Sequence, residues 1–170
     1  MADRVAANLI VGADGSTTIA GSSRALSFVA DRKRFHQLRS KFNVILIGGA
    51  TARNEPYFKT PSPLIVLTHQ SLPPTVAANP LAQAWREPIA HAIPRASALY
   101  GDVLIEGGPR LLREALAERL VGELFITFSL TRGGENSIEI SDFIRGFKEV
   151  SREPVEGGLF LSYRLAPSHS

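Results

Sequence analysis

Two stretches of this chain drive a short, continuously apolar run into a pair of glycines: Val44–Ile47 into Gly48-Gly49, and Val103–Ile105, through Glu106, into Gly107-Gly108. Brief apolar runs with no polar alternation, bounded by glycine, proline or polar residues, are the mark of strands buried on both faces. In a globular chain that means a mainly parallel sheet with helices covering it. Leu64–Leu67 has the same character. After the second glycine pair, Pro109 suits a first helical position, and Leu111, Leu112, Ala115, Leu116 and Leu120 recur at helical spacing. That pair therefore sits in a strand-to-helix turn.

The rest of the chain extends the same plan. Val5–Val11 reads as a first strand closed by the Asp-Gly turn of "GADGST". From Ser27 to Phe42, Phe28, Phe35, Leu38 and Phe42 keep one helical face apolar. Residues 73–100 carry Pro73, Pro74, Pro80, Pro88 and Pro94, which predicts a loop-rich crossover with one short strand near Ile89–Ile93. Glu123–Leu130 reads as a strand. Phe147–Arg152 and Leu159–Leu165 form a C-terminal antiparallel hairpin across "EPVEGG". With 170 residues the expectation is one α/β domain, its mixed but mainly parallel sheet flanked by helices and closed by that hairpin.

Composition removes several functional classes. The chain is 44% apolar and 21% charged, as globular domains are. No stretch approaches the roughly twenty apolar residues of a membrane helix, and the "MADRVAANLIV" start lacks a signal-peptide layout, so the cytoplasm is expected. Zero cysteines exclude disulfides, thiol nucleophiles and cysteine-containing zinc sites, and His36, His69, His91 and His169 lack metal-ligand spacing. No metal is expected. A net charge of +3 and a pI near 9.6 lean towards anionic ligands. Apart from Arg32-Lys33-Arg34 the basic residues are dispersed and not interleaved with aromatics, which argues against nucleic acid.

A glycine at the carboxyl end of a strand lets a ligand approach the backbone, and a helix beginning there offers free N–H groups to a phosphate. Each pair taken singly is equally a plain turn. Two strand ends, each with Gly-Gly and a nearby carboxylate, suggest neighbouring strands presenting one ligand. Glu106 is the leading candidate, because a carboxylate directly after an apolar strand must be hydrogen-bonded or ligand-facing; the structural alternative is that it caps backbone N–H groups. Asp14 is either turn chemistry or a group that positions or protonates a reacting end. Thr51, Arg53, Asn54 and Glu55 are a polar segment able to meet a phosphate or a second ligand, or a solvated loop. Arg39 either satisfies helix carbonyls or grips a phosphate.

Taken in order, "NLIVGADG", "FHQLRSKFNVILIGGATARNEPY", "LIVLTH" and "VLIEGGPRLLREALAERLVGELFITF" resemble the reductase domain of riboflavin biosynthesis, a dihydrofolate-reductase-like family often fused to a pyrimidine deaminase. The resemblance implies NADPH-dependent reduction of the ribose of 5-amino-6-(5-phosphoribosylamino)uracil to a ribityl chain. By motif position it implies cofactor binding by Gly48, Gly49, Thr51, Thr68, His69, Gly107, Gly108, Pro109, Arg110, Leu111 and Leu112. Asn8, Ser23, Arg39, Asn54, Glu55 and Glu106 fall on the substrate side, with Glu106 and Asp14 as catalytic candidates. It further implies a homodimer, a single reductase domain over 1–170 and a separate deaminase supplying the substrate. Arg53, His69 and Arg110 are candidate partners for a cofactor 2′-phosphate. The alternatives are a dihydrofolate-reductase-like enzyme on another pterin or pyrimidine, and a non-catalytic NADPH-binding protein.

Overall fold

The computed structural model describes residues 3–167; His169 lies outside them. In chain order the elements are β1 (Val5–Val11), α1 (Val29–Arg39), β2 (Val44–Gly48), α2 (Gly49–Asn54), β3 (Leu64–Leu67), α3 (Pro74–Ala77) and β4 (Ala82–Trp85). There follow α4 (Ile89–Tyr100), β5 (Val103–Glu106), α5 (Pro109–Ala117), β6 (Glu123–Ser129), α6 (Ile140–Ile144), β7 (Phe147–Val155) and β8 (Gly158–Leu165). One sheet takes all the strands in the order β4-β3-β2-β5-β1-β6-β8-β7. β1 to β6 run parallel, and β8 and β7 add antiparallel at one side. This is the mixed sheet with a terminal hairpin that the apolar runs implied.

Successive side chains of a strand point to opposite faces, which sorts the core into two layers. Ile45, Ile47, Leu64 and Val66 pack with Ala52, Tyr57 and Val76, and Ala6 and Leu104 pack with Leu38 and Phe42, so α1, α2 and α3 cover one face. Ala7, Leu46, Ile65, Val103 and Ile105 pack with Ala92, Ile93, Leu112, Ala115 and Phe143, so α4, α5 and α6 cover the other. Asn8 and Glu106 are paired in register across β1 and β5, two residues beyond Ala6 and Leu104. Both therefore belong to the α1 face. Arg34 moors α1 to the sheet: its guanidinium donates to Ile126 O at 3.3 Å and to Leu161 O and Ser162 Oγ at 3.2 Å, over the Phe160 ring.

Three expectations need correction. The strand expected near Ile89–Ile93 is instead the start of α4, and the strand of that crossover is β4. Ile89, Ala92, Ile93 and Ala96 bury one helical stripe, and that burial outweighs the hydrogen bond that Pro94 removes from the helix interior. The first helix begins at Val29 and ends at Arg39, inside the Ser27–Phe42 window, with single turns continuing to Phe42. In the hairpin β7 runs on to Val155, and the turn is Glu156-Gly157, where Gly157 at φ 97° occupies the left-handed region.

Candidate functional site

A cleft of about 1220 Å³ opens on the α1 face, over the carboxyl-terminal halves of β1 and β5. Its floor carries Asn8 and Glu106. One wall is α1, the opposite wall runs from Ala50 through Pro61, and the N-terminal turn of α5 closes a third side. The remaining wall joins two distant loops: Thr18 bridges Glu135, and the Glu135 carboxylate accepts from the backbone N–H groups of Ala20 and Gly21 at 3.1 and 3.2 Å. Arg24, Arg32, Lys59, Arg110 and Arg113 face the cleft against Asp31 and Glu55, a positive excess that suits anionic ligands.

The two glycine pairs come together because β2 and β5 are neighbours, with Leu46 opposite Ile105. The Thr51 hydroxyl, from α2, accepts the Gly108 N–H at 3.0 Å and ties the two turns to each other. Neither Gly48 (φ −89°, ψ 168°) nor Gly108 (φ −64°, ψ 163°) has a backbone that demands glycine. An added Cβ would meet nothing nearer than 3.7 Å at either position. Gly48 does not line the cleft, and its Cβ would lie against Leu111; Gly107 and Gly108 do line it, and it is at these two that glycine leaves the backbone open to a nucleotide phosphate. The first turn of α5 has no side-chain cap and begins with Pro109, so its N-terminal end faces the cleft uncapped. These residues fit the phosphates of a nucleotide cofactor. Gly49 is different: a Cβ there would crowd Arg53 Nη1 and Thr68 Oγ1 at 3.1 Å, so packing within the protein accounts for it.

At the deep end, Arg39 Nε donates to Glu106 Oε1 at 2.8 Å and Nη2 to Oε2 at 2.7 Å, while the Tyr57 hydroxyl donates to Oε2 at 2.8 Å. All three residues are buried, Glu106 to 3% exposure. The Arg39 guanidinium lies over the Phe35 ring at 4.1 Å and the Tyr57 ring at 5.2 Å. Burial alone would lower the Arg39 pKa, and the hydrogen-bonded Glu106 carboxylate more than offsets that. Tyr57 is pushed well above the ordinary phenol range, first by burial and then by the adjacent Glu106 charge, so it remains a donor. Glu106 therefore caps no backbone N–H. Arg39 serves neither helix carbonyls nor, with these two nitrogens, a phosphate.

The other residues singled out in the sequence divide. Asn8, Ser23, Thr51, Asn54, Glu55, Gly107, Gly108, Pro109 and Arg110 line the cleft. Glu55 is engaged by its own loop, accepting from Ser23 N–H at 2.6 Å and the Ser22 hydroxyl at 3.0 Å. Leu111 lies against Gly48 and Gly107, whereas the Leu112 side chain is buried in the core. Thr68 and the exposed His69 do not line the cleft; Thr68 packs beside Gly49. Asp14 is exposed and outside the lining. Its carboxylate accepts from the Ser16 hydroxyl at 2.6 Å and Gly133 N–H at 2.7 Å, which hold its pKa down to about 2. Its two loop partners and its place outside the cleft lining fit the turn reading. Tyr57 escaped sequence reading although it directly follows "NEP" in a polar segment. Thr17, Thr18 and Asn136 join the wall through contacts between distant loops that no local pattern announces.

Comparison with known families finds that the RibD C-terminal domain matches residues 4–138. The chain belongs to that family. Solved structures agree on the fold of this RibD C-terminal domain. The Thermotoga maritima diaminohydroxyphosphoribosylaminopyrimidine deaminase/5-amino-6-(5-phosphoribosylamino)uracil reductase superposes over 97% of the chain and 57% of its own length, with TM-score 0.74 and 15% identity. Acinetobacter baumannii RibD superposes over 98% of the chain and 59% of its own length, with TM-score 0.77 and 16% identity. A pyrimidine reductase-like protein from Corynebacterium diphtheriae matches 98% of the chain and 93% of itself, with TM-score 0.74 and 19% identity. The chain thus spans somewhat more than half of the Thermotoga and Acinetobacter proteins and nearly all of the Corynebacterium one. Comparison with curated protein sequences finds no match.

Proposed function

We propose that the chain is an NADPH-dependent reductase of riboflavin biosynthesis, acting on 5-amino-6-(5-phosphoribosylamino)uracil to give the ribitylamino product. The observation that carries the reading is a single cleft with two kinds of end. One end is the Gly107-Gly108 turn, tied to Thr51, with the helix start that follows it, the other a buried carboxylate held by an arginine and a tyrosine. The first suits a nucleotide phosphate, the second a group with hydrogen-bond donors. Family membership and the fold shared with the Thermotoga enzyme support the choice of substrate.

Bound NADPH would supply the hydride. The chain's own part is to bind, orient and exclude water. Gly107, Gly108 and Thr51 admit the cofactor's phosphates to the backbone, with Arg110 at the margin. Asn8 and Glu106 hold the substrate's polar groups at the floor, and Arg24, Arg32 and Lys59 add positive potential for its phosphate. The homodimer and the separate deaminase belong to the same proposal. The exposed strand β7 offers a surface, although its bulge at Glu149/Ser151, its charges and Pro154 blunt it against strand addition, so a second copy would meet its face. No helix among the described residues is long and apolar enough to cross a membrane; a cytoplasmic site of action belongs to the same proposal and rests on the family.

The test is NADPH oxidation with 5-amino-6-(5-phosphoribosylamino)uracil, run beside dihydrofolate. Turnover of the first alone is expected. Turnover of dihydrofolate instead would move the chain to pterin reduction, and cofactor binding with no turnover would leave a nucleotide-binding protein.

A further inference from the structure

A carboxylate offers about four lone-pair positions and no donor. Three of those on Glu106 are taken within the chain: Oε1 by Arg39 Nε, Oε2 by Arg39 Nη2 and by the Tyr57 hydroxyl. The remaining position is on Oε1, and Glu106 lines the cleft, so what it presents there is one acceptor. The Arg39 and Glu106 charges cancel at 2.7 Å, which leaves the floor nearly neutral even though the rim is basic. Arg39 cannot easily turn from Glu106 to a ligand, because the Phe35 and Tyr57 rings stand against its guanidinium. Were the Tyr57 hydroxyl absent, Oε2 would regain a free position and either oxygen could receive a ligand donor.

We propose that Tyr57 is a positioning residue: by occupying Oε2 it leaves only Oε1 of Glu106 for the ligand, so the cleft floor takes a neutral N–H or O–H donor and not the ligand's phosphate. The donor is an amide, an amine or a sugar hydroxyl, and the phosphate goes to the basic rim. The choice of ligand rests on the reductase reading.

Calorimetric titration of the full chain with 5-amino-6-(5-phosphoribosylamino)uracil and with its dephosphorylated form tests this directly. The proteins are the unaltered chain, Tyr57→Phe, Glu106→Gln and the double variant, each checked for an unchanged circular dichroism spectrum. Tyr57→Phe returns a position on Oε2 to ligand donors, so it should shift the affinity of both ligands by the same factor, about threefold or more in either direction, the scale of one altered hydrogen bond. Because Tyr57 acts through Glu106, it should add less than about twofold in the Glu106→Gln background, a non-additivity that a general loss of stability would not produce. Should Tyr57→Phe fail to fold, Glu106→Gln alone must still weaken both ligands equally. A loss confined to the phosphorylated ligand would place the phosphate on this group and overturn the inference, as would unchanged affinity in Tyr57→Phe or additive effects in the double variant. If the unaltered chain bound neither compound, the reductase reading itself would fall and take the inference with it; binding without any response to Tyr57→Phe would sink the inference alone.

Discussion

Replacing Arg39 by leucine removes two of the three hydrogen bonds that Glu106 makes, at a site where that carboxylate is 3% exposed. Breaking a buried ion pair from one side costs about 3–5 kcal/mol, since the remaining charge has neither water nor partner. In a protein of this size each kcal/mol moves the melting temperature by about 2–4 °C, so Arg39→Leu should melt about 6–20 °C below the intact chain. Replacing all three members, with Arg39→Leu, Glu106→Leu and Tyr57→Phe, leaves no orphaned polar atom and swaps the pair for apolar packing. Such exchanges are often neutral or stabilising. The triple variant should therefore melt nearer to the intact protein than the single one does, while losing substrate binding. Differential scanning calorimetry at neutral pH reads both quantities. A single variant melting within about 2 °C of the intact chain would refute the reasoning. So would a triple variant no more stable than the single, because the cost would then lie in packing and not in the stranded charge.

Gly108→Ala should fold with unchanged or slightly raised stability, because its backbone is ordinary and its Cβ meets only Thr51 Oγ1 at 3.7 Å, yet lose NADPH affinity by about tenfold or more if the cofactor approaches there; fluorescence titration with NADPH checks it. Gly158→Ala is the contrast: its Cβ would sit 1.9 Å from Phe128 O, between β8 and β6, and thermal melting should show severe destabilisation. Asp14→Asn should leave turnover within roughly twofold, as fits an exposed turn residue outside the cleft. Carboxyl titration by NMR should find Asp14 near pH 2, and because its folded pKa is lowered, the stability its turn contributes is present above about pH 4 and lost as pH falls through about 2. For Tyr57 the sign reverses: its folded pKa is raised, so its contribution is intact below about pH 10 and lost at higher pH, and its tyrosinate absorbance should emerge only with unfolding.

The sheet was legible where burial on both faces erased alternation, at Val44–Ile47, Leu64–Leu67 and Val103–Ile105. The convergence of the two glycine pairs followed from placing both at strand ends. β4 was not legible, because an edge strand buried only at Trp85 and half at Ala82 carries too few apolar residues to stand out from the surrounding prolines. α4 was hidden by Pro94, whose local penalty is visible in sequence while the compensating burial is not. At the site, sequence identified Glu106 and Arg39 separately but could not pair them, since the contact joins the last residue of a helix to the last residue of a strand 67 positions away. Tyr57 went unremarked for the same reason, its partner lying 49 positions on. Asp14 was open between a turn residue and a group that positions or protonates a reacting end, and the partner that fits the turn, the Gly133 N–H, lies 119 positions distant.

The mooring of α1 by Arg34 also orders events during synthesis. Its acceptors are Ile126, Leu161 and Ser162, up to 128 positions further along the chain, and the loop wall of the cleft closes between residues near 18 and 135. Contacts of such separation form late and slowly, because the closure entropy of the intervening chain must be met first. While the ribosome is still making β6, the first helix has no anchor beyond the strands already made, and Phe28 lacks the ring of Phe160 on which it stacks. A nascent chain halted before β8 would therefore expose part of the α1 face, making it a substrate for chaperones and proteases, and ligand binding would begin only once the last strand had emerged.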